Sequence, residues 1–314
     1  MKTAGTSTRT VFSELKLFLA LSRTTHGLLD LATPAVSALL WLNRFPSPWI
    51  VAVGLLTAFA GYTAVYALND LVDYKADLER IRQGGPKDEA DYLDTVFVRH
   101  PLAQGLLSLR KGVTWVLFWA VTALIGASLL SSVCALLFLG GVILEAIYCL
   151  MLRVSHLRLF VSGIVKTLGG IAAVFAVDPA PSAFFITLLF LWLFFWEIGG
   201  QNVPADWHDM DEDSELRFKT IPVWFGTAGA ARIILISLSV AVLLNLLLIC
   251  AAPGAFPVLL AAGCLVAGVY LLLLPAYHLL KARTSGAVSA LFGKASLYPA
   301  AVLIMIVIRL AVRS

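Results

Sequence analysis

Residues 69–77 read NDLVDYKAD, and they directly follow residues 49–68, WIVAVGLLTAFAGYTAVYAL, which carry no charged side chain. An apolar run of about 20 residues has the length of a helix that crosses a lipid bilayer. The aspartates Asp70, Asp73 and Asp77 stand at positions i, i+3 and i+7, a spacing that places them on one face of a helix. The stretch therefore predicts a transmembrane helix that continues beyond the membrane with an acidic face.

The whole chain has the composition of an integral membrane protein. Of its 314 residues, 60% are hydrophobic and 13% are charged, and the mean hydropathy is +0.90. Apolar runs of roughly 17 to 25 residues, long enough to span a bilayer, can be placed nine times. They lie near residues 25–42, 48–68, 113–130, 133–152, 159–177, 183–201, 233–251, 257–280 and 295–312. The sequence thus predicts an all-α membrane protein with about nine transmembrane helices, in a single domain that covers residues 1–314.

The positions of the Lys and Arg residues predict the orientation in the membrane, because basic loops tend to stay in the cytoplasm. The side that holds the N-terminus carries nearly all of these residues, and the other side carries only Arg44, Arg309 and Arg313. We therefore expect two long cytoplasmic loops, near residues 69–112 and 202–232. The same bias accounts for the net charge of +4, so the sequence gives no reason to expect nucleic acid as a partner.

A second acidic cluster repeats the spacing of the first. Residues 201–213 read QNVPADWHDMDED, in which Asp206, Asp209 and Asp213 again stand at i, i+3 and i+7. Neighbouring like charges repel each other, so a cation is expected to lie between the two clusters. Mg²⁺ is the simplest candidate, because it prefers oxygen ligands and keeps positions open for phosphate oxygens. The predicted metal ligands are Asp70, Asp73, Asp77, Asp206, Asp209 and Asp213.

A diphosphate would complete the coordination of such a metal. Basic side chains near the two clusters could take up the remaining phosphate charge. The candidates are Lys75, Arg153, Arg217 and Lys219.

Other interpretations of the acidic clusters stay open at this point. The aspartates could be ordinary solvated loop residues, although the repetition of the spacing after two long apolar spans speaks against that. A divalent-cation transporter could also use paired aspartate motifs, but transporters tend to place such residues near the bilayer midplane. A membrane phosphotransferase would need glycine and arginine within the acidic motif, and neither motif contains them.

The motifs resemble those of the UbiA superfamily of intramembrane prenyltransferases. NDLVDYKAD is similar to that family's first aspartate motif, and DWHDMDED, residues 206–213, resembles its second. KTIPVWFG at residues 219–226 and VRHPLAQG at residues 98–105 resemble two further family segments. The chain departs from the family in the 21 residues between Asp77 and Arg99, and in His100, which interrupts the usual Arg-Pro pair.

The resemblance implies a helical bundle around a central cavity that the two cytoplasmic loops cap. In such a protein, Mg²⁺ on the aspartates holds an isoprenyl diphosphate, the carbon to oxygen bond breaks, and a small acceptor attacks the allylic cation. We expect an aromatic acceptor, as in quinone biosynthesis, and a multi-pass protein in the lipid bilayer of a bacterial or archaeal-type cell membrane, with its active site facing the cytoplasm. The residues expected to be catalytic are Asp73, Asp77, Asp209 and Asp213. The residues expected to bind substrate are Asn69, Lys75, Asn202, Arg153 and Lys219.

Some charged residues fall inside the predicted spans, where a charge is costly. They are Asp30, Glu145, Lys166 and Glu197. Lys166 and Glu197 could form an ion pair within the bundle, or one of them could orient the acceptor, and the sequence leaves both alternatives open.

Overall fold

A computed structural model of the chain describes residues 14–82, 98–253 and 258–313. Within those ranges all the regular structure is helical and no strand occurs. The helices are α1 (residues 14–21), α2 (Thr24–Asp30), α3 (Ala32–Leu42), α4 (Pro48–Val72), α5 (Tyr74–Arg82), α6 (Leu109–Leu130), α7 (Ser132–Leu150), α8 (Arg158–Val177), α9 (Ala183–Glu197), α10 (Val203–His208), α11 (Met210–Glu215), α12 (Ile221–Ala251), α13 (Val258–Gly268), α14 (Leu274–Ala282) and α15 (Ser285–Arg313). Two π-helical turns, Ile198–Asn202 and Val269–Leu273, join α9 to α10 and α13 to α14.

The predicted all-helical membrane bundle is confirmed. In the described part of the chain, eight helices are long and apolar enough to cross a membrane, when α9 with α10 and α13 with α14 are each counted as one. The remaining predicted span, near residues 25–42, corresponds to α2 and α3. These two helices meet at Leu31, whose φ of −57° and ψ of −21° are themselves helical. Together they cover residues 24–42, a length of about 28 Å, which is close to the thickness of the hydrocarbon core. The prediction of about nine spans is therefore approximately right.

The second long loop is shorter than predicted. Most of residues 202–232 are helical, since α10, α11 and the start of α12 lie there. Helix α12 begins at Ile221, twelve residues before the predicted start of that span at residue 233, and it bends at Gly226, which has a φ of +66°. A charged residue such as Arg232 marks the edge of an apolar run, but it does not end a helix.

The long helices form two rings that share α8. In one ring, α3, α8, α9, α12, α14 and α15 pack against one another in turn, and α15 closes the ring by contacting α3. Its interior holds the main hydrophobic core, including the fully buried Trp192, Trp196 and Tyr298. In the other ring, α4, α6 and α7 pack against one another. Helix α7 also packs against α8. The central cavity described below is lined mainly by residues of this second ring.

A proline follows each π-helical turn after one intervening residue. Pro204 lies two residues after the turn Ile198–Asn202, and Pro275 lies two residues after the turn Val269–Leu273. A proline inside a helix removes one backbone hydrogen bond and collides with the carbonyl four residues earlier. A wider turn relieves that collision without ending the helix. The first of these turns ends in Asn202, which the sequence predicts to bind substrate.

Substitution of Gly199 by alanine should destabilise this turn. A Cβ atom at Gly199 would lie 2.9 Å from Leu238 Cγ and 3.0 Å from the backbone oxygen of Ile234, both on α12. Because backbone cannot move away cheaply, we expect Gly199→Ala to lower the free energy of unfolding by about 1–3 kcal/mol. The matched control is Gly140→Ala on α7, where a Cβ atom would meet nothing within 4 Å. Unfolding in detergent with increasing SDS would measure both variants, and equal midpoints would contradict the prediction.

Candidate functional site

The first aspartate motif lies where α4 passes into α5. Asn69 and Asp70 belong to the last turn of α4, and Asp77 lies on α5. Asp73 stands between the two helices, with φ −80° and ψ 0°. Asp70 and Asp77 are buried, with 4% and 1% of their surface exposed. The acidic face predicted from the spacing is therefore not one continuous helix but two short helical faces that meet at Asp73.

The second motif repeats this geometry. Asp206 lies on α10 and Asp213 on α11, and Asp209 separates the two helices with φ −95° and ψ 9°. In both motifs the backbone N–H of the last aspartate donates to the carbonyl of the middle one, at 2.9 Å for Asp77 and 2.8 Å for Asp213. The equal spacing in the sequence thus corresponds to an equal local structure, in which the middle aspartate marks the bend.

Arg80 connects the two motifs. Its guanidinium lies 3.1 Å from Asp77 Oδ1 in the first motif and 2.6 Å from Asp213 Oδ1 in the second. The pKa of Arg80 is lowered by burial, but Asp209, Asp213 and Asp77 raise it above its ordinary value, so the side chain stays charged. Both acidic motifs therefore lie at the same end of the bundle, within reach of one side chain. We call this the aspartate end.

Arg99 and His100 also belong to this site, although the sequence marked His100 only as a departure from the family pattern. Arg99 lies 2.9 Å from Asp209 Oδ1, and His100 Nδ1 lies 2.9 Å from Asp77 Oδ2 and 3.6 Å from Asp70 Oδ1. Burial would lower the pKa of His100, but Asp77 and Asp70 raise it to about 9. Burial would raise the pKa of Asp209, but Arg99 and Arg80 hold it well below its ordinary value.

Two further buried or half-buried arginines approach the motifs. Arg23, which precedes α2, lies 3.5 Å from Asp70 Oδ1 and 3.4 Å from Asn69 Oδ1. Arg158, on the first turn of α8, stacks at 4.0 Å over the ring of Tyr148 and interacts electrostatically with Asp206 and Asp73. In the sequence both residues look like ordinary basic residues beside a span, so no local signal distinguishes them.

The basic residues that the sequence predicted as phosphate contacts lie further out. Lys75 and Arg217 are exposed. Arg153 is also exposed; it forms an ion pair with Glu79 and lies 5.0 Å from the centre of the Phe218 ring. Lys219 Nζ donates to the backbone oxygen of Val154 at 3.0 Å. Their role in binding substrate stays a prediction.

The two asparagines lie at the entrance from the aspartate end to the cavity. Asn69 Nδ2 donates to Glu145 Oε1 at 2.8 Å. Asn202 Nδ2 donates to the hydroxyl of Tyr148 at 2.9 Å and to Ser162 Oγ at 3.1 Å. Asn69 and Asn202 both line the cavity, so each stands between an acidic motif and the apolar interior.

The donor set of the aspartate end suits a hard divalent cation. Asp70, Asp77 and His100 place ligand atoms within 4.8 Å of one another. No side chain of the described residues donates to the carboxylates of Asp73 or Asp206, although Asp206 is only 9% exposed. Carboxylate oxygens are the ligands that Mg²⁺ prefers. Imidazole nitrogen suits Mg²⁺ less well than carboxylate oxygen does, so the carboxylates rather than His100 would hold the ion.

An apolar cavity of about 530 Å³ runs from this site through the bundle. It begins at Asn69 and Asn202 and reaches Phe45 and Ile50 at the opposite end. Along α4, the distance from Ile50 to Asn69 is about 28 Å, which is nearly the thickness of the hydrocarbon core. The cavity can therefore hold a long apolar chain whose polar end lies beside the aspartates.

Solved structures with this fold come from a known family. A UbiA homolog from Aeropyrum pernix K1, solved without ligand, superposes with a TM-score of 0.72 at 20% identity, over 90% of this chain and 98% of that one. A UbiA homolog from Archaeoglobus fulgidus, bound to DMAPP and Mg²⁺, gives a TM-score of 0.65 at 18% identity, over 93% of this chain and 99% of that one. Among curated proteins, no sequence matches this chain significantly.

The sequence profile described as the UbiA prenyltransferase family matches residues 31–298. That range contains both aspartate motifs, the cavity-lining helices α3, α4 and α8, and Arg80, Arg99, His100 and Arg158, whereas Arg23 lies before it. Because the match covers most of the chain, this protein belongs to the UbiA prenyltransferase family.

Proposed function

We propose that this prenyltransferase uses Mg²⁺, held between its two aspartate motifs, to transfer a prenyl group from an isoprenyl diphosphate to a small acceptor. The observation that carries the proposal is the position of Arg80, which contacts Asp77 and Asp213 and so holds the two motifs face to face at the mouth of an apolar cavity. The A. fulgidus homolog, whose structures contain DMAPP or GPP together with Mg²⁺, supports this choice of donor and metal.

The aspartates divide into two groups of metal ligands in this proposal. Asp70, Asp73 and Asp77 would hold the ion from one side, and Asp206, Asp209 and Asp213 from the other. When bound there, Mg²⁺ would supply positive charge next to the departing diphosphate. We assign the catalytic contribution to Asp73, Asp77, Asp209 and Asp213, as the family motifs imply.

The protein's own cations would bind the remaining phosphate charge. Arg80 and Arg99 are already near the carboxylates, and a diphosphate at the same place would offer them oxygens of the same kind. Asn69 would donate its second amide hydrogen from the cavity side. Both amide hydrogens of Asn202 are bonded to Tyr148 and Ser162, so Asn202 would contribute its Oδ1, which accepts no hydrogen bond from the described residues. Lys75, Arg153 and Lys219 lie further out, and we place them at the entrance that the diphosphate passes.

The prenyl chain would lie in the cavity. Its transfer from water into an apolar environment gains about 0.8 kcal/mol per CH₂ group, whereas the diphosphate must stay near water. The carbon to oxygen bond that breaks is then held at the junction of the two environments. The diphosphate leaves with the bonding electron pair, and a nucleophilic atom of the acceptor forms the new bond to the allylic carbon. The acceptor then gives up one proton to the departing diphosphate.

We place the aspartate end on the cytoplasmic face of a bacterial or archaeal-type cell membrane, because the basic residues cluster at the ends of the helices that carry the motifs. An aromatic acceptor, such as a precursor in quinone biosynthesis, fits the aromatic residues Tyr62 and Tyr66, which line the cavity. Reaction at this face would let the product remain in the lipid bilayer.

The proposal is tested by incubating the purified protein in liposomes with labelled prenyl diphosphates of several lengths and a panel of acceptors. We expect prenylated products, identified by mass, and diphosphate release that stops when EDTA removes the metal. Uptake of a divalent cation by the same liposomes, without any prenyl diphosphate and without product formation, would instead indicate a transporter.

Metal binding should weaken in acid. Burial, and after it the charge of Asp77, raises the pKa of Asp73 to about 6, so below that pH a proton competes with the metal for this carboxylate. Between about pH 7.5 and pH 5, the metal concentration for half-saturation should therefore rise roughly tenfold. Binding of Mn²⁺ as a substitute for Mg²⁺, followed by electron paramagnetic resonance, measures this directly. In Asp73→Asn the dependence should be weaker, and an affinity independent of pH in the unaltered protein would contradict the prediction.

A further inference from the structure

A group of polar side chains lies inside the cavity, beyond the residues assigned to metal and diphosphate. Its members come from four helices, α2, α4, α8 and α9. They are Asp30, Tyr66, Ser162, Lys166 and Glu197. All of these except Asp30 line the cavity, so a molecule bound there would contact them.

The positive charge of Lys166 is balanced by Asp30, which does not line the cavity. Its Nζ donates to Asp30 Oδ2 at 2.6 Å and lies 3.3 Å from the hydroxyl of Tyr66, which donates to the same aspartate oxygen. His26 Nε2 lies 3.8 Å from that oxygen as well. Because Asp30 takes up the charge of the lysine, Lys166 presents little net charge to the cavity.

Glu197 has one carboxylate oxygen that is left for a ligand. Its Oε1 accepts a hydrogen bond from Ser162 Oγ at 2.9 Å, and Ser162 is itself held by Asn202. Its Oε2 lies 3.7 Å from Lys166 Nζ, beyond hydrogen-bond distance, and among the residues that the structure describes no donor reaches it. Glu197 is only 7% exposed, and buried carboxylate oxygens seldom lack a donor. An O–H or N–H group of a bound molecule would supply the donor that Glu197 Oε2 lacks.

The remaining charges near this position do not favour an anion. The other carboxylate that lines the cavity, Glu145, accepts a hydrogen bond from Asn69. Arg23 also lines the cavity, but it already lies 3.5 Å from Asp70. A carboxylated ligand would therefore face two buried carboxyl groups and cations that are already paired, which makes its desolvation costly.

We propose that Glu197 is the specificity-determining residue of the acceptor site, and that its Oε2 accepts a hydrogen bond from a hydroxyl group of an uncharged acceptor. The site then selects hydroxyl-bearing rings without a carboxylate over the same rings with one. This inference rests on the proposed prenyl transfer and specifies the chemical class of its acceptor.

The test compares two probe acceptors that differ in one group, hydroquinone and 4-hydroxybenzoate. With protein in liposomes, geranyl diphosphate and Mg²⁺, we expect the unaltered protein to have at least about tenfold higher kcat/KM for hydroquinone. Glu197→Gln keeps the shape of the side chain but replaces an acceptor oxygen by a donor N–H₂. The amide also carries no charge to repel a carboxylate, so the ratio of kcat/KM for hydroquinone over that for 4-hydroxybenzoate should fall at least about tenfold in the variant, mainly through a lower KM for 4-hydroxybenzoate. A general loss of structure would lower both values together and leave the ratio unchanged.

Two further measurements separate the possible outcomes. The matched control is Asp178→Asn, a carboxyl-to-amide change at the far end of α8, where Asp178 accepts from Trp41 Nε1 at 2.9 Å; its acceptor ratio should stay as in the unaltered protein. Binding of geranyl diphosphate should have the same Kd in Glu197→Gln as in the unaltered protein. An unchanged acceptor ratio in Glu197→Gln, or a preference of the unaltered protein for 4-hydroxybenzoate, overturns this inference and leaves prenyl transfer intact. Failure of the unaltered protein to bind geranyl diphosphate with Mg²⁺ overturns the proposed function and this inference with it.

Discussion

Asp73→Asn should reduce the rate of Mg²⁺-dependent diphosphate release by at least about 100-fold, because it removes the charge of a carboxylate that accepts no hydrogen bond from a side chain of the described residues and that we assign to the metal. The substitution preserves the shape of the side chain, so the bend between α4 and α5 should remain. Such a loss corresponds to about 2.7 kcal/mol of transition-state stabilisation. Asp209→Asn should show a loss of similar size, because Asp209 occupies the equivalent bend between α10 and α11.

The matched control is Glu215→Gln, which removes an exposed acid on α11, close in sequence to the second motif. That variant should keep the rate of the unaltered protein. Release of labelled diphosphate at saturating Mg²⁺ measures all three variants, with thermal unfolding in detergent as a check on folding. If Asp73→Asn, while folded, released diphosphate within threefold of the normal rate, the proposed role of the aspartate end would be wrong.

Asp30→Ala should destabilise the protein strongly, because it leaves the buried ammonium group of Lys166 without its closest partner. Removal of one member of a buried ion pair typically costs 3–5 kcal/mol. We expect a loss of about 3 kcal/mol in the free energy of unfolding, at the lower end of that range, because Glu197 lies 3.7 Å from Lys166 and can replace part of the interaction. An SDS titration in detergent measures the loss.

An exposed ion pair provides the comparison. Lys111 and Glu14 lie 2.8 Å apart, but their side chains are 49% and 44% exposed, so Glu14→Ala should cost less than about 1 kcal/mol. The double variant Asp30→Leu, Lys166→Met removes both charges, and it should recover much of the stability lost in Asp30→Ala. Equal stabilities of Asp30→Ala and Glu14→Ala would show that the buried pair makes no special contribution.

Hydropathy alone predicts most of the membrane helices, because the bilayer requires uncharged runs of a fixed length. The predicted spans 113–130 and 133–152 lie within four residues of α6 and α7 at each end. Hydropathy fails where a helix leaves the apolar region without ending. Helix α12 extends from Ile221, well before the predicted start of its span, because Arg232 interrupts the apolar run without ending the helix.

The acidic half of the site could be predicted from the sequence, and the basic half could not. The aspartates share a spacing that appears twice in the sequence, so one sequence is enough to recognise them. The cations that face them have no shared pattern, since Arg23 precedes the first span, Arg80 follows one turn after Asp77, and Arg99 with His100 precedes α6. Only the packing of the rings brings these residues to the carboxylates.

Because Arg80 contacts both aspartate motifs, the two halves of the protein are not energetically independent. Removing the charge of Asp77 frees this guanidinium to pair more fully with Asp213, and the converse also holds. Paired substitutions at these positions should therefore deviate from additivity, although the two residues are 136 positions apart in the chain. The two aspartate motifs act at this point as one thermodynamic unit.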